Sequence, residues 1–206
     1  MCLRFMPGGI FMSEHSHYFV EDPSLAHAPR AFTYYFKDQV LRLQSDSGVF
    51  SHGHVDPATA MLLKNIPALR GSVLDLGCGC GVMGIALAKA YNLQATLADV
   101  NPRALACAEL NCRENGVQAQ IIQSDCFENI PGSFDTIVLN PPIHAGKEIV
   151  WRMFDGAKEH LNPGGGFYTV MLDKHGAAGA SARLAGIFES CETLYRKKGL
   201  RVLRCG

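Results

Sequence analysis

Val73-Leu74-Asp75-Leu76-Gly77-Cys78-Gly79-Cys80-Gly81 decides the fold. A short, mostly apolar run reads as a buried strand, and three alternating glycines after it allow a turn too tight for side chains. Residues 82–90 follow as an apolar helix. Strand, glycine turn and helix open a parallel α/β sheet, with the turn at the topological switch point, where a ligand can lie against bare backbone. Downstream the two periods keep alternating. The pattern predicts strands at 95–98, 119–123, 134–139 and 166–172, with one or two more in the tail. It predicts helices from Asn101-Pro102 to Asn115-Gly116, at 149–161 (stopped by Asn162-Pro163-Gly164-Gly165-Gly166) and at 177–189. Such alternation means a parallel sheet covered on both faces.

Upstream, Phe32, Tyr34 and Phe36 alternate with Thr33 and Tyr35, Lys37-Asp38-Gln39 can turn, and Val40, Leu41 and Leu43 return. Residues 17–50 therefore read as a small β appendage. Asp56-Pro57 suits an N-cap and first helical residue, opening a helix to about Ile66. Residues 1–11 read as an extension outside the fold, and 12–206 as one domain with its core at 56–206.

Of 206 residues, 48% are hydrophobic and 18% charged, enough apolar side chain for a core, which excludes disorder. Lys+Arg and Asp+Glu are 19 each, so the formal charge is zero. Binding nucleic acid by overall charge is excluded; any such contact must be local. No run of about 18 apolar residues exists to span a membrane. The eight cysteines form no CxxC pair and are expected reduced and mostly buried. The N-terminus makes a poor signal peptide, so a cytoplasmic location is expected. His52, His54 and His144 share no metal-ligand spacing, and no metal is expected.

Two constellations carry chemistry. Asp99 ends the predicted second strand 22 residues after Gly77, where a carboxylate can accept both ribose hydroxyls of an adenosine. Residues 79–84 also fit GxGxxG, so a nicotinamide dehydrogenase stays open. Asp75 speaks against it, because a carboxylate there is awkward beside a pyrophosphate but suits a cation such as an ammonium group. Asp125, in Gln123-Ser124-Asp125-Cys126, is either a ligand contact or a helix N-cap. The second constellation is Asn140-Pro141-Pro142-Ile143-His144 at the end of the predicted fourth strand. The prolines end the ladder and stiffen the chain. The Asn140 side-chain oxygen and the Pro141 carbonyl are then free to face one pocket and accept both hydrogens of an amine.

The glycine segment resembles motif I of class I methyltransferases that use S-adenosylmethionine, and Asn-Pro-Pro resembles motif IV of those acting on amino groups. Residues 140–147 (NPPIHAGK) are most similar to the catalytic domain of ribosomal small-subunit guanine-N2 methyltransferases. With residues 45–51 and 196–199, the resemblance spans roughly 17–206. It implies a doubly wound, Rossmann-like sheet, mostly parallel with the last strand antiparallel, and S-adenosylmethionine as cofactor. Asp75, Gly77, Gly79 and Gly81 would seat the methionyl part, Asp99 the ribose, and Asp125 with Cys126 the adenine. Asn140, Pro141 and Pro142 would be catalytic, Phe50, Ile143 and His144 would surround the base, and Lys197 and Lys198 would meet phosphates of ribosomal RNA or the small subunit. Larger members carry a further N-terminal methyltransferase-like domain that this sequence does not include, and Ile143 replaces the usual aromatic. Three alternatives remain open: a protein-glutamine methyltransferase, an adenine-N6 methyltransferase, and a non-catalytic cofactor-binding module in ribosome assembly.

Overall fold

The computed structural model describes residues 25–173 and 177–206; the expected extension at 1–11 and the first part of the appendage lie outside them. β1 (Arg30–Phe36) and β2 (Gln39–Ser45) form an antiparallel hairpin. Then come α1 (Pro57–Asn65), β3 (Ser72–Leu76), α2 (Val82–Tyr91), β4 (Gln94–Asp99), α3 (Pro102–Asn115), β5 (Ala119–Gln123) and β6 (Phe134–Leu139). α4 (Lys147–Glu159), β7 (Leu161–Leu172), α5 (Ala177–Ile187), β8 (Cys191–Lys197) and β9 (Leu200–Cys205) complete the chain. The main sheet has the order β5-β4-β3-β6-β7-β9-β8. Only β9 runs against its neighbours, as the resemblance implied.

The chain leaves β3 towards β4 and β5, and β6 towards β7, so the connections diverge between β3 and β6 and open a crevice at their carboxyl ends. One face of the sheet packs with the hairpin, α1, α2 and α3, through Leu41, Leu62, Ile85 and Ala108 among others. The other packs with α4 and α5 through Phe154, Ala177 and Leu184. The hairpin is tied down by α3. Asn111 accepts from Gln44 N and donates to Gln44 O, both at 2.8 Å, and Asn115 does the same with Arg42 at 3.0 and 2.7 Å. Each side-chain amide thus completes the hydrogen bonding of a strand-edge residue. This anchorage holds residues 48–51 over the crevice, helped by a bond from Asn101 Nδ2 to Gly48 O at 2.9 Å.

Four expectations need correction. The fourth helix begins at Lys147 and ends at Glu159, so Leu161 belongs to β7, paired with Phe134. The Asn-Pro-Gly-Gly-Gly run is the irregular start of that strand: the register shifts between Phe134 and Thr136, and Asn162 Nδ2 bonds Asp135 at 2.8 Å. The last helix stops at Ile187. Cys191 and Cys205, expected reduced, lie opposite each other on β8 and β9, Cα atoms 4.1 Å apart, and are joined as a disulfide. The other described cysteines are free and buried.

Candidate active site

The crevice is a cavity of about 680 Å³, within the ~300–1,000 Å³ of small-molecule sites. Asp99, the last residue of β4, lies in its wall. Its carboxylate accepts from Gly79 N at 2.8 Å and from Asn101 N at 2.9 Å. Burial raises its pKa, while these amides act in the opposite sense. The carboxylate is therefore fixed in direction and keeps lone pairs for further donors.

Gly77 and Gly79 also line the cavity. Gly79 has φ +55°, and a Cβ there would meet nothing within 4 Å, so glycine keeps this backbone bare towards the cavity. Gly81 and Asp75 do not line it. A Cβ on Gly81 would fall 2.7 Å from Leu97, so this glycine serves close packing of α2 on the sheet. Asp75, expected to seat an ammonium, is fully buried. It points under the first turn of α2, where Oδ2 accepts from Gly84 N at 2.7 Å and Oδ1 has no hydrogen-bond partner among the described residues. Burial pushes its pKa up to about 7. The alternation of β3 explains the direction: Leu74 and Leu76 take one face of the sheet, leaving Val73 and Asp75 the other.

Asn140, Pro141, Pro142, Ile143 and His144 all line the cavity at the end of β6. Asn140 Nδ2 donates to Asp56 Oδ2 at 3.1 Å and to Thr59 Oγ1 at 3.0 Å. The Pro141 carbonyl, expected free, accepts from Ile143 N at 2.9 Å. Pro142, at φ −76° and ψ 77°, closes a tight three-residue turn. One carbonyl lone pair remains. Sequence reasoning gave Asp56 only its capping role and missed Thr59. The Asp-Pro capping signal marked the right residue, but its approach to Asn140 spans 84 positions and is invisible in local pattern.

At the mouth, Phe50 is 47% exposed, a ring on offer and no core filler. Asp125 and the buried Cys126 also line the cavity. Asp125 caps no helix, and its carboxylate meets Arg152 at 3.4 Å. Lys197 and Lys198 are exposed at the β8–β9 turn and lie outside the cavity wall. They stand at the same sheet edge, since Lys197 pairs with Leu200 and Leu200 with Leu172, a wall residue. Their basic neighbours are ion-paired: Arg196 and Arg201 share the one carboxylate of Asp173 at 2.8 and 2.5 Å, and Arg204 holds Glu192 at 3.2 Å. Among the described residues no cluster of His, Cys, Asp or Glu suits a metal, and no helix is long and apolar enough to cross a membrane.

The sequence profile of the Methyltransferase small domain family matches residues 40–204. The chain belongs to that family. This methyltransferase is 34% identical over 199 residues to the uncharacterized protein YbxB of Bacillus subtilis, covering 94% of the chain and 98% of YbxB. It is 39% identical over 150 residues to Ribosomal RNA small subunit methyltransferase C of Pasteurella multocida, covering 66% of the chain and 46% of that protein. The chain spans about half the length of the small-subunit methyltransferases C it matches. Among solved structures it is similar to the T. thermophilus 16S rRNA N2 G methyltransferase in complex with AdoMet and guanosine, at TM-score 0.80 and 28% identity over 89% of the chain and 52% of that one. The cofactor of the methyltransferase is S-adenosylmethionine, which overturns the nicotinamide alternative. The bare Gly79 backbone and the fixed, half-buried Asp99 acceptor fit an adenosine ligand.

Proposed function

We propose that the methyltransferase modifies the exocyclic N2 amine of guanine in ribosomal RNA, in the cytoplasm. The observation that carries this reading is that Asn140 and Pro141 share one cavity with Asp99 and Gly79, at the ends of neighbouring strands. In this reading Gly77 and Gly79 seat the methionyl part, Asp99 accepts the ribose hydroxyls, and Asp125 with Cys126 flanks the adenine. When bound, S-adenosylmethionine supplies an electrophilic methyl group on its sulfonium. Asn140 Oδ1 and the remaining lone pair of the Pro141 carbonyl accept the two amine hydrogens. The lone pair of the amine is delocalised into the ring, and two acceptors draw the nitrogen towards tetrahedral geometry and aim it. Asparagine has no useful basicity, so catalysis rests on orientation, where up to ~7–11 kcal/mol is available in principle. The nitrogen would bond to the methyl carbon as the sulfonium–methyl bond breaks, the electron pair staying on sulfur, which leaves as a neutral thioether; the surplus proton would pass to water.

Phe50 lines the same cavity as Ile143 and His144 and supplies the aromatic face for a base that Ile143 does not. Lys197 and Lys198 supply phosphate contacts that the zero net charge does not. The likeness to a guanosine-bound relative favours guanine over adenine or glutamine, and intact Asn140 favours catalysis over a passive module.

The test is methyl transfer from labelled cofactor to unmodified 16S rRNA and to small subunits assembled from it, followed by nucleoside mass spectrometry. N2-methylguanosine is expected. Label in N6-methyladenosine or in protein glutamine, or none in either substrate, contradicts the proposal. N140A should lose at least ~100-fold in turnover, about 2.7 kcal/mol, with affinity for S-adenosylhomocysteine nearly unchanged. Wild-type turnover in that variant refutes the role of Asn140.

A further inference from the structure

We propose that Asp56 and Thr59 are positioning residues that fix which end of the Asn140 amide faces the reacting amine. The proposal rests on the reading of Asn140 as an amine acceptor and adds what makes it one. A primary amide has nearly the same shape either way round, with two donors at one end and an acceptor at the other. Left alone, Asn140 could present NH2 to the cavity and repel an incoming amine. Its surroundings remove that freedom. Asp56 Oδ2, 3.1 Å from Asn140 Nδ2, belongs to a carboxylate, which when ionised only accepts. Thr59 Oγ1 takes a second bond from the same nitrogen at 3.0 Å. Both amide hydrogens are thus spent on α1, and Oδ1 is the end left to the cavity.

The anchor is itself held. Asp56 Oδ2 caps α1 by accepting from Ala58 N at 2.8 Å and Thr59 N at 3.0 Å, and Thr59 is buried. All three donors converge on one carboxylate oxygen, so the start of α1 fixes Asp56 and Asp56 fixes Asn140. A helix N-cap, ordinarily a device of stability, here also sets the polarity of an acceptor 84 residues further along the chain.

Two variants separate orientation from folding. In D56N the amide oxygen can accept the same three donors, so kcat should fall no more than ~3-fold, half a decade. In D56S/T59V the serine still caps the helix but is too short to reach Asn140, and valine removes the second acceptor. There kcat on 16S rRNA should fall at least ~10-fold, while RNA KM and affinity for S-adenosylhomocysteine stay near wild type. The unsubstituted protein offers an independent check: by NMR, the Asn140 side-chain NH2 should exchange with water markedly more slowly than that of an exposed asparagine. Full activity in D56S/T59V, an equal loss in D56N, or fast exchange of the Asn140 NH2 would each overturn the proposal. Failure here is distinct from failure of the amine reading: an active N140A removes that reading itself, whereas an inactive N140A beside a fully active D56S/T59V rejects only the positioning role.

Discussion

The two ends of the seven-stranded sheet use the same residue types to opposite effect. At the amino ends of β3, β6 and β7, Asp135 takes bonds from Ser72 N at 2.8 Å, Ser72 Oγ at 3.0 Å and Asn162 Nδ2 at 2.8 Å. These bonds hold its pKa below the usual carboxylate range. At the carboxyl ends, Asp99 and Asn140 make bonds that fix their direction yet leave acceptor oxygens at a cavity. One edge consumes its polar groups in holding three strands together. The other, where the connections diverge, keeps them available. A carboxylate and an asparagine at a strand end therefore mean little by type alone; the topology around them decides between staple and site.

The closed edge should break hardest at Gly71. Its φ is +77°, and a Cβ there would fall 2.0 Å from Asp135 Oδ2. G71A combines a left-handed alanine with loss of the Asp135 bonds, for roughly 2–4 kcal/mol. Chemical denaturation should show that loss, with binding of S-adenosylhomocysteine unmoved. A stable G71A would mean that the staple contributes little.

Asp75 sharpens the contrast, since it sits on the open edge by position and on the closed side by contact. Its folded pKa is about 7 against an ordinary 3.8, through burial first. Between those values the folded state holds a proton that the unfolded state has lost, so Asp75's contribution to stability is full below pH 3.8 and declines as pH rises to about 7. D75N, which mimics the protonated form, should therefore gain melting temperature over wild type at pH 8, with the difference vanishing towards pH 4. A difference that is constant with pH contradicts this assignment.

The smallest effect concerns the rim. K197Q/K198Q should weaken RNA binding and lower the slope of log K against log salt by up to ~1.4 if both meet single-stranded phosphates, leaving cofactor affinity alone. An unchanged slope would make these lysines a solvated turn.

The fold was legible because each element announces itself locally. The period changes at Ser72, and Asn101-Pro102 and Gly116 cap α3 as their residue types suggest. Asn140-Pro141-Pro142 and Asp99 were legible for the same reason, as strand-end residues. What escaped notice acts through space between distant segments. Asp173 divides the basic run at 196–204 by taking Arg196 and Arg201. The pleat of β3 turns Asp75 inward. The turn at Pro142 occupies part of the Pro141 carbonyl, and Asp56 meets Asn140 only once α1 is docked.

The most direct test of the open edge is calorimetry of S-adenosylhomocysteine against wild type and D99A. Wild type should bind at micromolar levels and ignore NAD. D99A should bind more weakly by roughly 1–3 kcal/mol, the scale of charge-assisted hydrogen bonds, while melting normally. Equal affinity in the two proteins, or binding of NAD in place of S-adenosylhomocysteine, would contradict the assignment of this cavity.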